Sequence, residues 1–373
     1  MRFLIVSHYV LPHIGGVEQL VDLETRALAE AGHEVTVVAS DGLGAGEMPK
    51  YPPTVRVILV PAWHELERTW QVPYPLFSPH LVHVLAQAVR WADIVHVHGF
   101  LFQGTLVALW WARRLNKPSI LTDHGGIQHF ASATKRFLAW TAAHTLGRLS
   151  CRWADQLVAY NARVLALLEQ LSGKSARFVA NPIRRERFRP PTPQERAAAR
   201  CQLGWTDSRP RILFVGRLVP EKGVAQLLQL RREDWEIVLC GPGAEAWGDV
   251  LRKPGITYLP PRPQAELIPL YHASDVLVLP SAVREGFPLV VQEALACGLP
   301  AVLGDDPGFA PYRTWPGLYL TSPEPPALAQ KVDEVLRVGS SVQHPDYATA
   351  LDRFCPDPQL WLRQLYSDFL PVR

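Results

Sequence analysis

The chain has 373 residues, 48% hydrophobic and 20% charged, with a formal net charge of +3. That length suits two ordinary domains, the composition suits a soluble globular protein, and so small a charge gives no ground for a nucleic-acid partner. The five cysteines (Cys151, Cys201, Cys240, Cys297 and Cys355) are scattered and form no CxxC pair, which argues for reduced thiols in the cytoplasm and against a disulfide scaffold or zinc ribbon.

The N-terminus, MRFLIVSHYV, has a short apolar run. It is too short for a signal peptide and reads as a first strand, Phe3 to Val6. A loop, LPHIGG, leads into VEQLVDLETRALAEAG, where Val17, Leu20, Val21, Leu28 and Ala31 lie on one helical stripe. Gly32 ends that helix and Glu34 to Ala39 forms the next strand, completing a βαβ unit. Gly15 and Gly16 sit between the first strand and the helix, where glycine lets backbone approach a ligand; the alternative is a simple turn. Glu18 favours the helix start through its charge. GLGAG (Gly42 to Gly46) mimics a dinucleotide motif, but no helix opens from it.

DIVHVHG (Asp93 to Gly99) reads as another strand, with His96 and His98 on one face. No third ligand follows at a recognisable spacing, so no metal is expected. The apolar run Thr105 to Ala112 is far below the ~20 residues of a membrane span. Between Asp123 and Asp155 there is no acidic residue, while Lys135, Arg136, Arg148 and Arg152 mix with Phe130, Phe137, Trp140 and Trp153. Segment 130–153 thus fits peripheral contact with an anionic membrane. The plainer alternative is a domain helix with a basic outer face.

Asn181 to Pro210 is rich in proline and arginine, with one helical run near Glu195 to Leu203. It marks the boundary between an N-terminal domain, 1–190, and a C-terminal domain, 191–356. The βαβ pattern then recurs: strand Arg211 to Val215, loop GRLVPEKG, helix VAQLLQLRRE, strand Trp235 to Cys240. GPGAEAWG (Gly241 to Gly248) follows that strand, and a lone Gly-rich match of this kind is a weak signal for NAD. Two doubly wound α/β domains are the economical reading, with ligands beyond the carboxyl ends of the strands and the deepest cleft between the domains.

The densest signal is AVREGFPLVVQEALACGLP, Ala282 to Pro300. It reads as a loop carboxylate (Glu285), a helix with Pro288 at its first position, and a second carboxylate (Glu293) two turns in. Gly298 sits just past the helix end, and Pro300 prevents continuation. Free N–H groups near residues 288 to 291 would take a phosphate. Two glutamates beside a phosphate site fit a ligand with both hydroxyls and phosphates, such as a sugar nucleotide.

With GRLVPEKG, LYHASDVLVLPS and REGFPLVVQEALACGLP in its C-terminal half, and GGVEQ, DIVHVHG and TDHGG in its N-terminal half, the chain resembles the retaining glycosyltransferases of family 4. The resemblance covers nearly the whole length and implies the GT-B fold, two Rossmann-like domains facing an interdomain cleft. It implies a C-terminal domain that binds the nucleotide sugar, an N-terminal domain that binds the acceptor, and a last helix, 357–370, crossing back to the N-terminal domain. It implies sugar transfer from a nucleoside diphosphate to an acceptor hydroxyl, without metal or cofactor. The basic and aromatic segment 130–153 adds the expectation of a lipid-linked or polysaccharide-precursor acceptor, met at the inner face of the membrane.

On this resemblance the ribose hydroxyls fall to Glu293 and a sugar hydroxyl to Glu285. The diphosphate falls to Arg217 and Lys222, in a loop closed by Gly216 and Gly223. Gly15, Gly16, Gly286, Phe287, Leu289 and Val290 complete the donor site. His124 stands beside the reacting sugar, its alternative being a structural loop histidine; His98, Asp123 and Gly125 fall on the acceptor side. Base choice is assigned to Pro260 to Gln264, where Arg262 would stack. DDPGFAPY (Asp305 to Tyr312) departs from the family by lacking an acid after Gly308, so no donor contact is assigned there. Two rival readings stay open: an epimerase or phosphorylase on the same fold, and a non-catalytic sugar-nucleotide-binding subunit.

Overall fold

The computed structural model describes residues 1–13, 15–42, 44, 46–70, 74–127, 132–281 and 286–369, apart from the side chains of residues 68, 70 and 341. They form two compact units, residues 1–182 with 358–373 and residues 183–357. The division falls upstream of the 190/191 boundary expected from composition, because Ile183 N–H donates to the Pro356 carbonyl and so ties the start of the linker to the end of the second unit.

In the first unit the strands are β1 (Arg2–Val6), β2 (Glu34–Ser40), β3 (Val55–Val60), β4 (Ala62–Trp63), β5 (Leu76–Phe77), β6 (Ile94–His98), β7 (Ser119–Asp123), β8 (Gln156–Ala159) and β9 (Arg177–Phe178). Seven of them make one parallel sheet in the order β3-β2-β1-β6-β7-β8-β9, and β4 with β5 forms a separate antiparallel ribbon. The period-2 geometry of β1 sends alternate residues to opposite faces. Leu4 and Val6 join a core with Val95, Val97 and the helices His80–Trp91 and Gln103–Arg114. Phe3 and Ile5 join the other core, with Leu20, Val21 and Leu28 of the helix Gly16–Glu30.

The last helix, Pro358–Leu365, buries Trp361, Leu362 and Leu365 in that second core. Each such apolar side chain contributes about 1.5–3 kcal/mol when fully buried, enough to hold this segment on the first unit.

In the second unit β10 (Arg211–Val215), β11 (Glu236–Cys240), β12 (Ile256–Leu259), β13 (Val276–Leu279), β14 (Ala301–Gly304) and β15 (Leu318–Thr321) form a parallel sheet in the order β12-β11-β10-β13-β14-β15. Counted within the unit this is the 3-2-1-4-5-6 order, whose direction reverses between β10 and β13. The helix expected over 224–233 stops at Leu228. The indole of Trp235 donates to the Leu230 carbonyl at 2.9 Å, and this bond organises the turn that replaces the helix's last part.

Candidate functional site

In the second unit the loops after β10 and β13 flank the reversal point, where open α/β sheets bind ligands. Gly223 holds φ +76, and a Cβ there would lie 2.2 Å from the Pro280 carbonyl oxygen. Only glycine lets these two loops touch. Arg217 is exposed and Lys222 half-buried in the short 3-10 turn Pro220–Lys222, so the sheet carries both cations at this point.

The following helix, Leu289–Ala296, has Pro288 as its cap in extended conformation, one position earlier than expected. Cys297 is its C-cap and Gly298, at φ +74, comes next, as an αL terminus requires. Of the N–H groups near 288 to 291, Pro288 has none and Val291 donates to the Pro288 carbonyl. That leaves Leu289 and Val290, both half-buried, as the first-turn donors without an intrahelical acceptor. Phe287 is buried and stacks on Tyr312 with centroids 3.7 Å apart, so its ring anchors the loop to the departing segment Pro307–Tyr312. Gly286 is half-buried beside it; Arg284 and Glu285 lie outside the described residues.

Glu293 is 3% exposed. One carboxylate oxygen accepts from the Tyr271 hydroxyl at 2.6 Å and the other from the Gln264 amide at 2.6 Å. Burial pushes its pKa up, while Tyr271 and Gln264 pull it down by less. Tyr271 is buried on the helix Gln264–Ala273, and Gln264 is exposed at that helix's first position. Tyr271 lies in LYHASDVLVLPS with no role of its own assigned there, and Gln264 closes the loop assigned to base choice. The bond from that loop to Glu293 is made by Gln264 and concerns the expected ribose ligand, not the base. A carboxylate offers about four acceptor positions, so two hydroxyls can join or displace the neutral donors now present.

In the first unit the corresponding loops follow β1 and β6. The Glu18 carboxylate folds back so closely that a Cβ on Gly15 would lie 2.1 Å from it, whereas the space beside Gly16 is open. Glu18 is buried rather than displayed at the helix start, with His13 Nδ1 3.2 Å away, and burial raises its pKa. Tyr9 donates to Glu67 at 2.5 Å and His13 Nε2 lies 3.0 Å from the same carboxylate. His8 stacks flat on Phe102, centroids 4.0 Å apart, and burial followed by the neighbouring His13 and His98 lowers its pKa to about 3.

The same unit holds a second polar cluster. Glu24 is fully buried and bonds His96 Nδ1 at 2.6 Å, His98 Nε2 at 3.0 Å and the Tyr366 hydroxyl. His98 Nδ1 in turn meets His124 Nε2 at 3.0 Å. Two expectations change here. His98 does not line an acceptor surface, because its side chain is fully enclosed between Glu24 and His124. The pair His96 and His98 does have a third companion, contributed by a helix 72 residues away from His96 and invisible to local spacing. The donor atoms of Glu24, His96 and His98 lie within 4.8 Å of one another. Each is already engaged in a short hydrogen bond, so the chemistry of the set is that of a saturated network rather than an open ligand cradle.

Asp123 is also buried. It accepts the backbone N–H groups of Phe100 at 3.2 Å and Gly126 at 2.7 Å, and burial raises its pKa. Its carboxylate therefore shapes the loop that carries His124, and the space beside Gly125 is open. His124 itself is half-buried, its carbonyl accepting from the Tyr160 hydroxyl at 2.8 Å.

The segment of mixed basic and aromatic residues forms the helix Ala133–Ala142, a π-helical turn Ala143–Gly147 and the helix Arg148–Trp153. The first of these helices buries none of its residues. Phe137 is 65% exposed, Leu138 61% and Trp140 53%. Arg136, Arg148 and Arg152 are exposed as well, and Phe130 lies outside the described residues. An ordinary domain helix would bury such an apolar stripe. Among the described residues no helix is long and apolar enough to cross a membrane.

Comparison with known proteins agrees with this geometry. Residues 14–187 match the family model for Glycosyltransferase Family 4, and residues 195–349 the model for Glycosyl transferases group 1. A GDP-mannose-dependent alpha-mannosyltransferase of Mycobacterium tuberculosis is 31% identical over 352 residues, spanning 90% of this chain and 89% of that protein. A GDP-mannose-dependent monoacylated alpha-(1-6)-phosphatidylinositol monomannoside mannosyltransferase of Corynebacterium glutamicum is 26% identical, spanning 90% and 88%. Among solved structures, Anabaena Alr3699/HepE in complex with UDP superimposes with a TM-score of 0.77 at 18% identity, covering 99% of both chains. These likenesses establish an α/β GT-B fold for the chain.

Proposed function

The chain belongs to glycosyltransferase family 4 and moves a sugar from a nucleotide-sugar donor to an acceptor; on that premise we propose that it is a retaining α-mannosyltransferase using GDP-mannose. The observation that carries the donor is the 31% identity to a GDP-mannose-dependent enzyme along nearly the whole of both chains. The UDP-bound likeness, at 18% identity, speaks to fold alone.

In this reading the second unit holds the donor. Glu293 accepts the ribose hydroxyls, held in place by Tyr271, with Gln264 yielding its bond to the incoming ribose. Charged hydrogen bonds of this kind contribute roughly 1.5–3 kcal/mol each. Arg217, Lys222 and the N–H groups of Leu289 and Val290 neutralise the diphosphate as the glycosidic bond breaks. These groups replace a metal, and the reaction needs none. Glu285 binds a hydroxyl of the transferred mannose, Gly16 lets backbone approach it, and His124 stands beside the reacting carbon. Retention follows a front-face route in which the leaving phosphate takes the acceptor's proton.

The acceptor is lipid-linked and presented at an anionic membrane surface. The exposed Phe137, Leu138 and Trp140 enter the interface while Arg136, Arg148 and Arg152 meet the headgroups. Incubation with GDP-mannose, UDP-glucose and ADP-glucose and a membrane lipid extract tests the reading. Mannose transfer from GDP-mannose alone, with the α-anomer retained by NMR, is expected. Release of an epimerised or phosphorolysed sugar without acceptor would replace this reading with the epimerase or phosphorylase alternative.

A further inference from the structure

The polar cluster behind the first sheet contains more than packing requires. Glu24 sits on the helix Gly16–Glu30, His96 and His98 on β6, Thr122 on β7, His124 in the following loop, and Tyr366 after the last helix. None of these side chains is adjacent in sequence to its partner. Yet each ring nitrogen of His96 and His98 has a partner: Glu24 and Thr122 Oγ1 (2.8 Å) for His96, and Glu24 and His124 for His98.

The proton positions follow from what each atom can do. Glu24 is held ionised: burial alone would raise its pKa, but His96 and His98 pull it well below the usual carboxylate range. An ionised carboxylate only accepts, so His98 Nε2 carries a hydrogen and donates. Burial, reinforced by His96, lowers the pKa of His98 and keeps its ring neutral. Its Nδ1 is therefore a bare lone pair, and the atom 3.0 Å from it, His124 Nε2, must donate. The two rings lie only 11° from coplanar with centroids 5.3 Å apart, the arrangement of rings meeting edge to edge in one plane, along the hydrogen bond. His124 is neutral too, its pKa lowered above all by burial. With Nε2 protonated, its Nδ1 is the lone pair.

We propose that Glu24, acting through His98, is a positioning residue that fixes the tautomer of His124, so that His124 presents an Nδ1 lone pair and not an N–H. This inference rests on the reading of His124 as the residue beside the transferred sugar. A lone pair there accepts a hydroxyl hydrogen and turns the negative end of the ring dipole toward a sugar gaining positive charge. The opposite tautomer would present the positive end. The carboxylate is three groups removed from the sugar and never touches it, so its contribution is one of orientation and proton placement.

Long-range 1H–15N correlation spectra of the full chain labelled at histidine, at neutral pH, test this directly. His124, assigned by its loss in His124→Asn, is expected as the Nε2–H tautomer. In Glu24→Gln its signals move toward a mixture of tautomers, and kcat for sugar transfer falls by roughly tenfold or more with donor KM little changed. Glu24→Asp, which keeps the carboxylate, recovers part of the rate. A wild-type His124 found as the Nδ1–H form or as an imidazolium overturns the proposal, and this holds even should Glu24→Gln fail to fold. A folded Glu24→Gln with an unchanged His124 tautomer and unchanged kcat overturns it as well. Full activity in His124→Asn would instead strike the reading of His124 as the residue at the sugar, leaving the tautomer result to be judged by the spectrum.

Discussion

Glu24 and Glu293 are both buried carboxylates on the helix side of a parallel sheet, one in each unit, and they are driven in opposite directions. Glu24 is surrounded by two imidazoles and a tyrosine and is held ionised. Among the described residues Glu293 accepts side-chain hydrogen bonds from two neutral donors, Tyr271 and Gln264, and burial pushes its pKa up. Burial alone therefore does not decide the charge of an enclosed acid; the identity of its donors does. The difference also separates their uses. Glu24 is saturated by protein groups, in keeping with the positioning role proposed for it, whereas Glu293 holds one exposed partner, Gln264, in keeping with the ribose-binding role proposed for it.

The contrast is sharpest where charge is removed. Arg217→Ala is expected to lower kcat by about 10²–10³-fold, the usual effect of losing one preformed donor to developing charge. Steady-state kinetics with GDP-mannose measures it, and a loss confined to KM would remove Arg217 from the leaving-group role. Glu293→Ala should weaken donor binding by about 3 kcal/mol, two charged hydrogen bonds counted at their lower value. Tyr271→Phe should weaken it by about 1 kcal/mol, since only the orienting bond is lost.

The two acids also predict opposite pH dependences. Glu293, with its raised pKa, favours the folded state most below the unfolded value of about 4.3, and that contribution disappears as pH rises through the folded value. Glu24, with its lowered pKa, contributes above about 4.3 and loses its contribution as pH falls toward its folded value. Denaturant unfolding between pH 2 and 7 should therefore show the loss of stability below about pH 4.3 reduced in Glu24→Gln and not in Glu293→Gln. Equal pH profiles in the two variants would erase the comparison.

Smaller effects bear on the scaffold. Gly223→Ala places a Cβ against Pro280 at positive φ and is expected to cost about 1–3 kcal/mol of stability, read as a lower thermal midpoint. Replacing Phe137 and Trp140 together by serine should leave stability within about 0.5 kcal/mol, as surface changes do, while abolishing co-sedimentation with anionic liposomes. Unchanged liposome binding would assign that exposed face to another partner.

What the sequence revealed follows the same divide. In the second unit the signals are local: Gly223 and Gly298 occupy positions where backbone geometry demands glycine, and the helix after Pro288 begins one residue from where its composition places it. In the first unit the polar network is long-range. Glu24 reaches residues 72, 74 and 342 positions away, and on a helical wheel it reads as an interruption of the apolar stripe rather than as part of the core. Tyr271 illustrates the same blindness in the second unit: it lies 22 residues from Glu293 and reads in sequence as one more core aromatic. Periodicity reports which face of an element is buried, but not which polar groups meet there.

Calorimetric titration of GDP, UDP and ADP into the wild-type chain and Glu293→Ala tests the donor site most directly. The account predicts that GDP binds best and that the variant loses about 3 kcal/mol of that affinity. GDP binding of equal strength to wild type and variant would contradict it, by placing the nucleotide away from Glu293.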